Sequence, residues 1–215
     1  VETLLETQEL DVSDEYYTAS GRRVVYSPPG MFVSVIHADR LSGTFHPHVV
    51  QHHVRELACL DDDPAWLAAV VPGLCRDVDS WYRHFTEGGG KGDLLPVCET
   101  HGNTAMEYQP SFFAFAGFPE LPVGYRHSLA YETPLKRTDL AAFLHANTLA
   151  AAELCAMNGK LGDAAGYAAR AAALERSIME KMWDPARRFF YDLHHGTDAP
   201  ALVRQIGRAS CRERV

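Results

Sequence analysis

An all-α fold built from helical hairpins is what this 215-residue sequence predicts, and three observations carry the prediction. First, Leu67, Val70, Val71, Leu74, Val78, Trp81, Tyr82 and Phe85 recur at the three-and-four spacing that puts side chains on one helix face. Second, Leu140 to Met157 is apolar nearly all round, the composition of a helix buried on every side. Third, Asp163 to Trp183 is one-sided: Leu174, Ile178 and Met182 oppose Arg170, Glu175, Arg176, Glu180 and Lys181. A buried helix joined by a short turn to an amphipathic one is the inner–outer alternation of a helical toroid or a stacked helical repeat.

The elements follow in order. Residues 1–44 are mixed, with strand-like runs "RRVVYS" and "GMFVSVI" around the Pro28–Pro29–Gly30 turn. From residue 45 the pattern is helical. His48 to Leu60 reads as one helix, and Asp63 as the N-cap of the next, with Pro64 at its first position. Pro72–Gly73 is expected to kink or split that second helix, and "EGGGKG" at 87–92 to end it. Residues 86–138 form a long stretch rich in Gly, Pro and aromatics, the type of connection that usually carries function. Thr138–Asp139 reads as a capping pair for the Leu140 helix. "NGKLGD" makes the turn, with Asp163 as the following cap, and Asp184–Pro185 stops the last helix before an extended apolar piece.

The last ten residues, "IGRASCRERV", have no helix or strand period and resemble a translated sequencing adapter. The expected organisation is therefore an extended N-terminal part at 1–44, a helical part at 45–205 and an artefactual tail at 206–215, the whole being an internal piece of a longer protein. Setting aside the three arginines and one glutamate of the tail takes the net charge from −8 to −10. An acidic chain with no basic cluster argues against nucleic acid and anionic membrane surfaces as partners. Leu140 to Met157 is interrupted by His145, Asn147, Thr148 and Glu153, which suits a core helix better than a membrane span. Cys59, Cys75, Cys98 and Cys155 form no CxxC pair and read as buried free thiols rather than a zinc site.

The chemistry-bearing stretch is "CETHGNTAMEYQPSFFAFAGF", residues 98–118. Glu107 lies between Met106 and Tyr108, with Phe112, Phe113, Phe115 and Phe118 following. Packing a carboxyl among such groups disfavours its charged form and raises its pKa, the condition for a general acid near neutrality. The alternative is a structural acid paired with an arginine.

The helix pair "LHANTLAAAELCAMNGKLGDAAGYAARAAALERSIMEKMWDPARRFFYD" resembles that of glycoside hydrolases with an (α/α)6 barrel: the mannosylglycerate-hydrolase-like domain, glycoside hydrolase family 63 and the trehalases. The W-D-P-x-x-x-F-F-Y-D run, Trp183 to Asp192, is similar to their helix exit. The resemblance spans roughly residues 45–193 and implies an incomplete (α/α)6 toroid with a long active-site loop. Trehalases and family 63 carry their acid in a motif of the type E-S-G-W-D-x-S, and relatives have Met-Glu in place of Trp-Asp. Asn103 to Gln109 aligns with it, placing Glu107 at the acid; Asn103, Ala105 and Gln109 depart from the motif's Glu, Gly and Ser.

The resemblance implies an inverting hydrolase acting on an α-glucosyl or α-mannosyl linkage of an oligosaccharide or glycosylated small molecule. Its second carboxylate, the base, is expected beyond residue 205, so this chain alone is expected to be inactive. Phe113, Phe115, Tyr125 and Tyr131 are candidate sugar platforms, Asn103, Gln109, Arg126 and His127 candidate hydroxyl partners, and Tyr108 a further candidate substrate contact. Asp93, Glu99 and Glu132 share the stretch without qualifying as base. His46, His48, His52 and His53 have helical spacing but no HExxH glutamate, so no metal is assigned. Gly88–Gly90 lacks a Walker pair, and no cofactor is called for. Asp77 and Asp79 read as solvated. Two rivals remain: an epimerase or isomerase using paired histidines such as His127 and His145, and a TPR-like interaction scaffold, disfavoured because no 34-residue period recurs.

Overall fold

The computed structural model describes residues 49–60, 63–100 and 132–201, together with short strand segments at 15–17, 23–25, 35–36 and 41–42. In the N-terminal part, β1 (Glu15–Tyr17) pairs antiparallel with β2 (Arg23–Val25), and β3 (Val35–Ile36) with β4 (Leu41–Ser42). β2 and β3 fall inside the two strand-like runs that the β-branched residues mark.

The body is helical: α1 (Val50–Leu60), α2 (Pro64–Phe85), α3 (Thr138–Met157) and α4 (Leu161–Ser177). α3 packs against the other three. Its length and apolarity would also suit a membrane span, but here it is the hub of the helical body. One core cluster gathers Trp81, Tyr82, Leu140, Leu144, Leu174 and Met182, and a second gathers Val54, Val70, Val71, Leu74 and Leu154 around Cys155.

α2 begins as its sequence indicates. The Asp63 carboxylate accepts hydrogen bonds from the Ala65 and Trp66 amides at 2.9 and 3.0 Å, satisfying two of the donors a helix start leaves free. Pro72 does not split it, contrary to expectation; α2 runs unbroken for 22 residues. The proline ring is exposed, while Val70, Val71 and Leu74 on the inner face are 1%, 1% and 0% accessible. Burial on both sides of the proline holds the helix together despite one missing backbone bond.

The α3–α4 hairpin closes through Gly159 at φ +72°, a conformation that favours glycine, with the Lys160 amide donating to the Cys155 carbonyl at 2.8 Å. Asp163 lies in the first turn of α4 rather than at the cap, where its charge still complements the helix dipole. Past Ser177 the helix widens into one π turn, Ile178–Met182. α3 is not buried on every side: Ala142, Leu149, Glu153, Ala156 and Met157 form an exposed stripe. Uniform apolarity names no inward direction, so neighbours alone decide which face is covered.

The 86–138 stretch contains more order than a loop. A 3-10 turn (Glu87–Gly89) is followed by β5 (Val97–Thr100) and β6 (Glu132–Lys136), which pair antiparallel. After the hairpin of β7 (Trp183–Asp184) and β8 (Phe189–Phe190), β9 (Leu193–His194) adds to the free side of β6, giving a three-stranded sheet in the order β5-β6-β9. The whole remains mostly helical, as an incomplete helical toroid requires.

Candidate active site

The Cα partners Thr100 and Glu132 close the β5–β6 ladder. Thr100 and Glu132, 32 positions apart in sequence, thus stand opposite each other at the end of that ladder. Asn103, Glu107, Tyr108, Gln109, Phe113, Tyr125, Arg126 and His127 all belong to the intervening 101–131 stretch, which lies outside the described residues. The structure therefore describes the strands that flank this stretch in sequence.

That frame is held by charge. Lys136, the last residue of β6, is 2% exposed, and its Nζ donates to Asp93 at 2.7 Å and to Asp198 at 2.8 Å. Lys181, on the π turn, donates to the same two carboxylates at 2.7 and 2.6 Å, so two ammoniums and two carboxylates alternate in a ring. Burial pushes the Asp93 carboxyl up, but the two lysines and the Leu95 amide outweigh it and hold the group below the usual carboxylate range. Both lysines hold Asp198 down in the same sense. Burial pulls Lys136 down, and Asp198 and Asp93 reverse that and raise it. The glycine run makes the ring possible: Gly88, Gly89 and Gly90 all have positive φ, turning the chain back so that Asp93 reaches Lys136.

Arg137, adjacent in sequence and 0% exposed, serves a second pair. It grips Asp139 with Nη2 at 2.7 Å and Nε at 3.1 Å, and reaches Asp192 with Nη1 at 3.2 Å. Asp192 also accepts the Thr138 amide at 2.9 Å, so the first turn of α3 is capped from a distance of 54 residues along the chain. Burial pushes the Asp192 carboxyl up, opposed by Arg137 and the Thr138 amide. The Trp183–Asp192 motif thereby acquires a physical role. Trp183 and Phe190 pack with ring centroids 4.7 Å apart, Asp184 accepts the Ala186 and Arg187 amides, and Asp192 ties the motif to the foot of β6.

Several expectations need correction. Asp77 is not solvated: it is 0% exposed and accepts from Gln51 Nε2 at 2.7 Å. Asp79 is half-buried, bonded to Tyr167 at 3.0 Å and Arg170 at 2.7 Å. Asp93 belongs to the lysine ring. Cys59 is exposed rather than buried. His46 and His48 lie outside the described residues; His52 and His53 have ring centroids 6.0 Å apart. Among the described residues, no three His, Cys, Asp or Glu gather as a metal site. In sequence, "PLKRTD" reads as ordinary surface charge, and nothing local marks Lys136 and Arg137, whose partners Asp93, Asp198 and Asp192 are remote along the chain.

No curated protein matches the chain. A solved structure titled "Sialidase" is similar to it with a TM-score of 0.56 and 18% identity, over 74% of this chain and 12% of that one. That likeness speaks to the fold, and the chain spans 12% of that protein's length. The model of the mannosylglycerate hydrolase MGH1-like glycoside hydrolase domain matches residues 14–211. With a match across nearly the whole chain, and a helical body that bears it out, the chain belongs to the MGH1-like glycoside hydrolase domain family.

Proposed function

We propose that this glycoside hydrolase domain cleaves an α-glucosyl or α-mannosyl linkage with inversion, and that Glu107 is its general acid. The observation that carries the reading is the family match over residues 14–211. The strand pair supports it, because Thr100 and Glu132 anchor the acid-bearing stretch to a sheet fastened by buried charge. Within that stretch Met106, Tyr108 and Phe112 surround Glu107 in sequence, and apolar company keeps a carboxyl protonated until it meets the leaving oxygen. A second carboxylate, supplied from elsewhere in the full protein, activates the attacking water. Asn103, Gln109, Arg126 and His127 bond sugar hydroxyls, and Tyr108, Phe113 and Tyr125 offer ring faces.

The test is Glu107→Gln in the full-length protein. Turnover of a glycoside with a poor leaving group should fall by about 10²–10⁴ while KM changes little. An aryl glycoside with an acidic leaving group should lose much less, because its departure needs no proton. Proton NMR of the first product should show the anomer opposite to the substrate. Retention of full turnover by the variant, with loss on His127→Ala or His145→Ala instead, would replace hydrolysis by the epimerase chemistry.

A further inference from the structure

The core holds two sulfurs that the proposed hydrolysis does not use. Cys75 on α2 and Cys155 on α3 stand with their Sγ atoms 3.4 Å apart, 80 residues apart in sequence. Both are reduced. Cys155 is 1% exposed and sits in the cluster with Val71, Leu74 and Leu154, whereas Cys75 is half-buried at the edge of that cluster.

We propose that Cys75 and Cys155 form a redox-modification site, closed into a disulfide between α2 and α3 by a low-molecular-weight disulfide oxidant. Closure shortens the sulfur separation from 3.4 Å to ~2.05 Å. The step balances as two exchanges. The Cys75 sulfur, which solvent can approach, attacks one sulfur of the oxidant; a mixed disulfide forms and one thiolate leaves, taking up a proton. The Cys155 sulfur then attacks Cys75 Sγ, the mixed disulfide breaks and the second thiolate leaves. Two protein thiols are oxidised, and one oxidant disulfide is reduced to two thiols.

The surroundings set the rate. Burial pushes the Cys75 thiol up to about 12, with the neighbouring Cys155 adding to the shift, and burial also raises Cys155. Thiolate is scarce at neutral pH, so the pair stays reduced under ordinary conditions and oxidises faster as pH rises. Once formed, the bond encloses the whole segment from α2 to α3, including β5, β6 and everything mounted between them. Exposed Cys59 has no such neighbour among the described residues and provides an internal control.

The experiment incubates the folded chain with oxidised glutathione at mildly alkaline pH, alkylates remaining thiols and maps a non-reduced digest by mass spectrometry. The expected result is one peptide pair joined through Cys75 and Cys155, two hydrogen atoms lighter than the reduced pair, and a thermal midpoint several degrees above that of the reduced protein. Cys59→Ser should leave both observations unchanged, and Cys75→Ser should abolish both. Recovery of Cys75 and Cys155 as alkylated or separately glutathionylated residues, or their pairing with other cysteines, would overturn the proposal. The map of the unsubstituted protein decides the matter even if Cys75→Ser does not fold.

Discussion

Lys136 shows what a single side chain contributes to this frame. It is buried, meets Asp93 and Asp198 at hydrogen-bond distance, and would leave both carboxylates to the half-exposed Lys181 if removed. Lys136→Met is therefore expected to cost about 3–5 kcal/mol in urea unfolding, the range for breaking a buried ion pair from one side. The same ring predicts an acid limb. Asp93 and Asp198 have folded pKa values below their ordinary ones, so their stabilisation is complete above the ordinary carboxylate value and is lost as pH falls through the depressed values. Asp198→Asn, at a position with φ +53° that asparagine tolerates, should cost about 1 kcal/mol at neutral pH and flatten the loss of stability below pH ~4. Denaturant titrations at several pH values would check both. None of this was legible in the sequence. A lysine beside an arginine at the end of a short strand is usually solvated, and the partners that bury it lie 43 and 62 residues away. Glu107 stands out in the sequence because its oddness is local, an acid among aromatics in an aligned motif, but it lies outside the described residues.

At the scale of elements, the cap at Asp63 is legible in the sequence, whereas Asp163 and the Thr138–Asp139 pair, expected as caps, lie inside the first turns of their helices. Asp63 was recognisable as a cap from its place before Pro64, and Asp63→Ala should destabilise the protein by about 1 kcal/mol through the loss of two amide partners. The split that Pro72 allows does not occur, because sequence shows the broken bond but not the burial that compensates it. Pro72→Ala should raise the thermal midpoint, since the exposed site gains a backbone donor and a better helix former without losing a packed side chain. The third helix offers a sharper comparison. Leu144, 0% exposed, and Leu149, 43% exposed, are chemically identical and five residues apart. Leu144→Ala should cost about 2–5 kcal/mol and Leu149→Ala less than about 1. Equal losses would mean that the stripe running through Leu149 is covered.

The molecule as a whole was foreseeable where its pattern repeats within a helix or a hairpin: the α3–α4 pair and its glycine turn came directly from periodicity. The small sheet was not, because β5 and β6 find each other across the 101–131 stretch and β9 arrives from beyond the last helix. On the proposed reading, Glu107 supplies one of the two carboxylates that inversion requires, and none of the described residues is assigned as the other. The isolated 215-residue chain is accordingly expected to release no sugar from aryl glycosides, trehalose or glycosylglycerates above the buffer rate; measurable turnover would require a base within these residues. The meeting of Thr100 with Glu132 has a further bearing on how such a domain diversifies. Because the segment carrying Glu107 joins the body through facing strand ends, it can be exchanged as a cassette for the corresponding stretch of another family member. On the proposed reading, in which that segment carries the sugar contacts, substrate preference could then drift during evolution, or be grafted in the laboratory, while the sequence of the helices stays as it is.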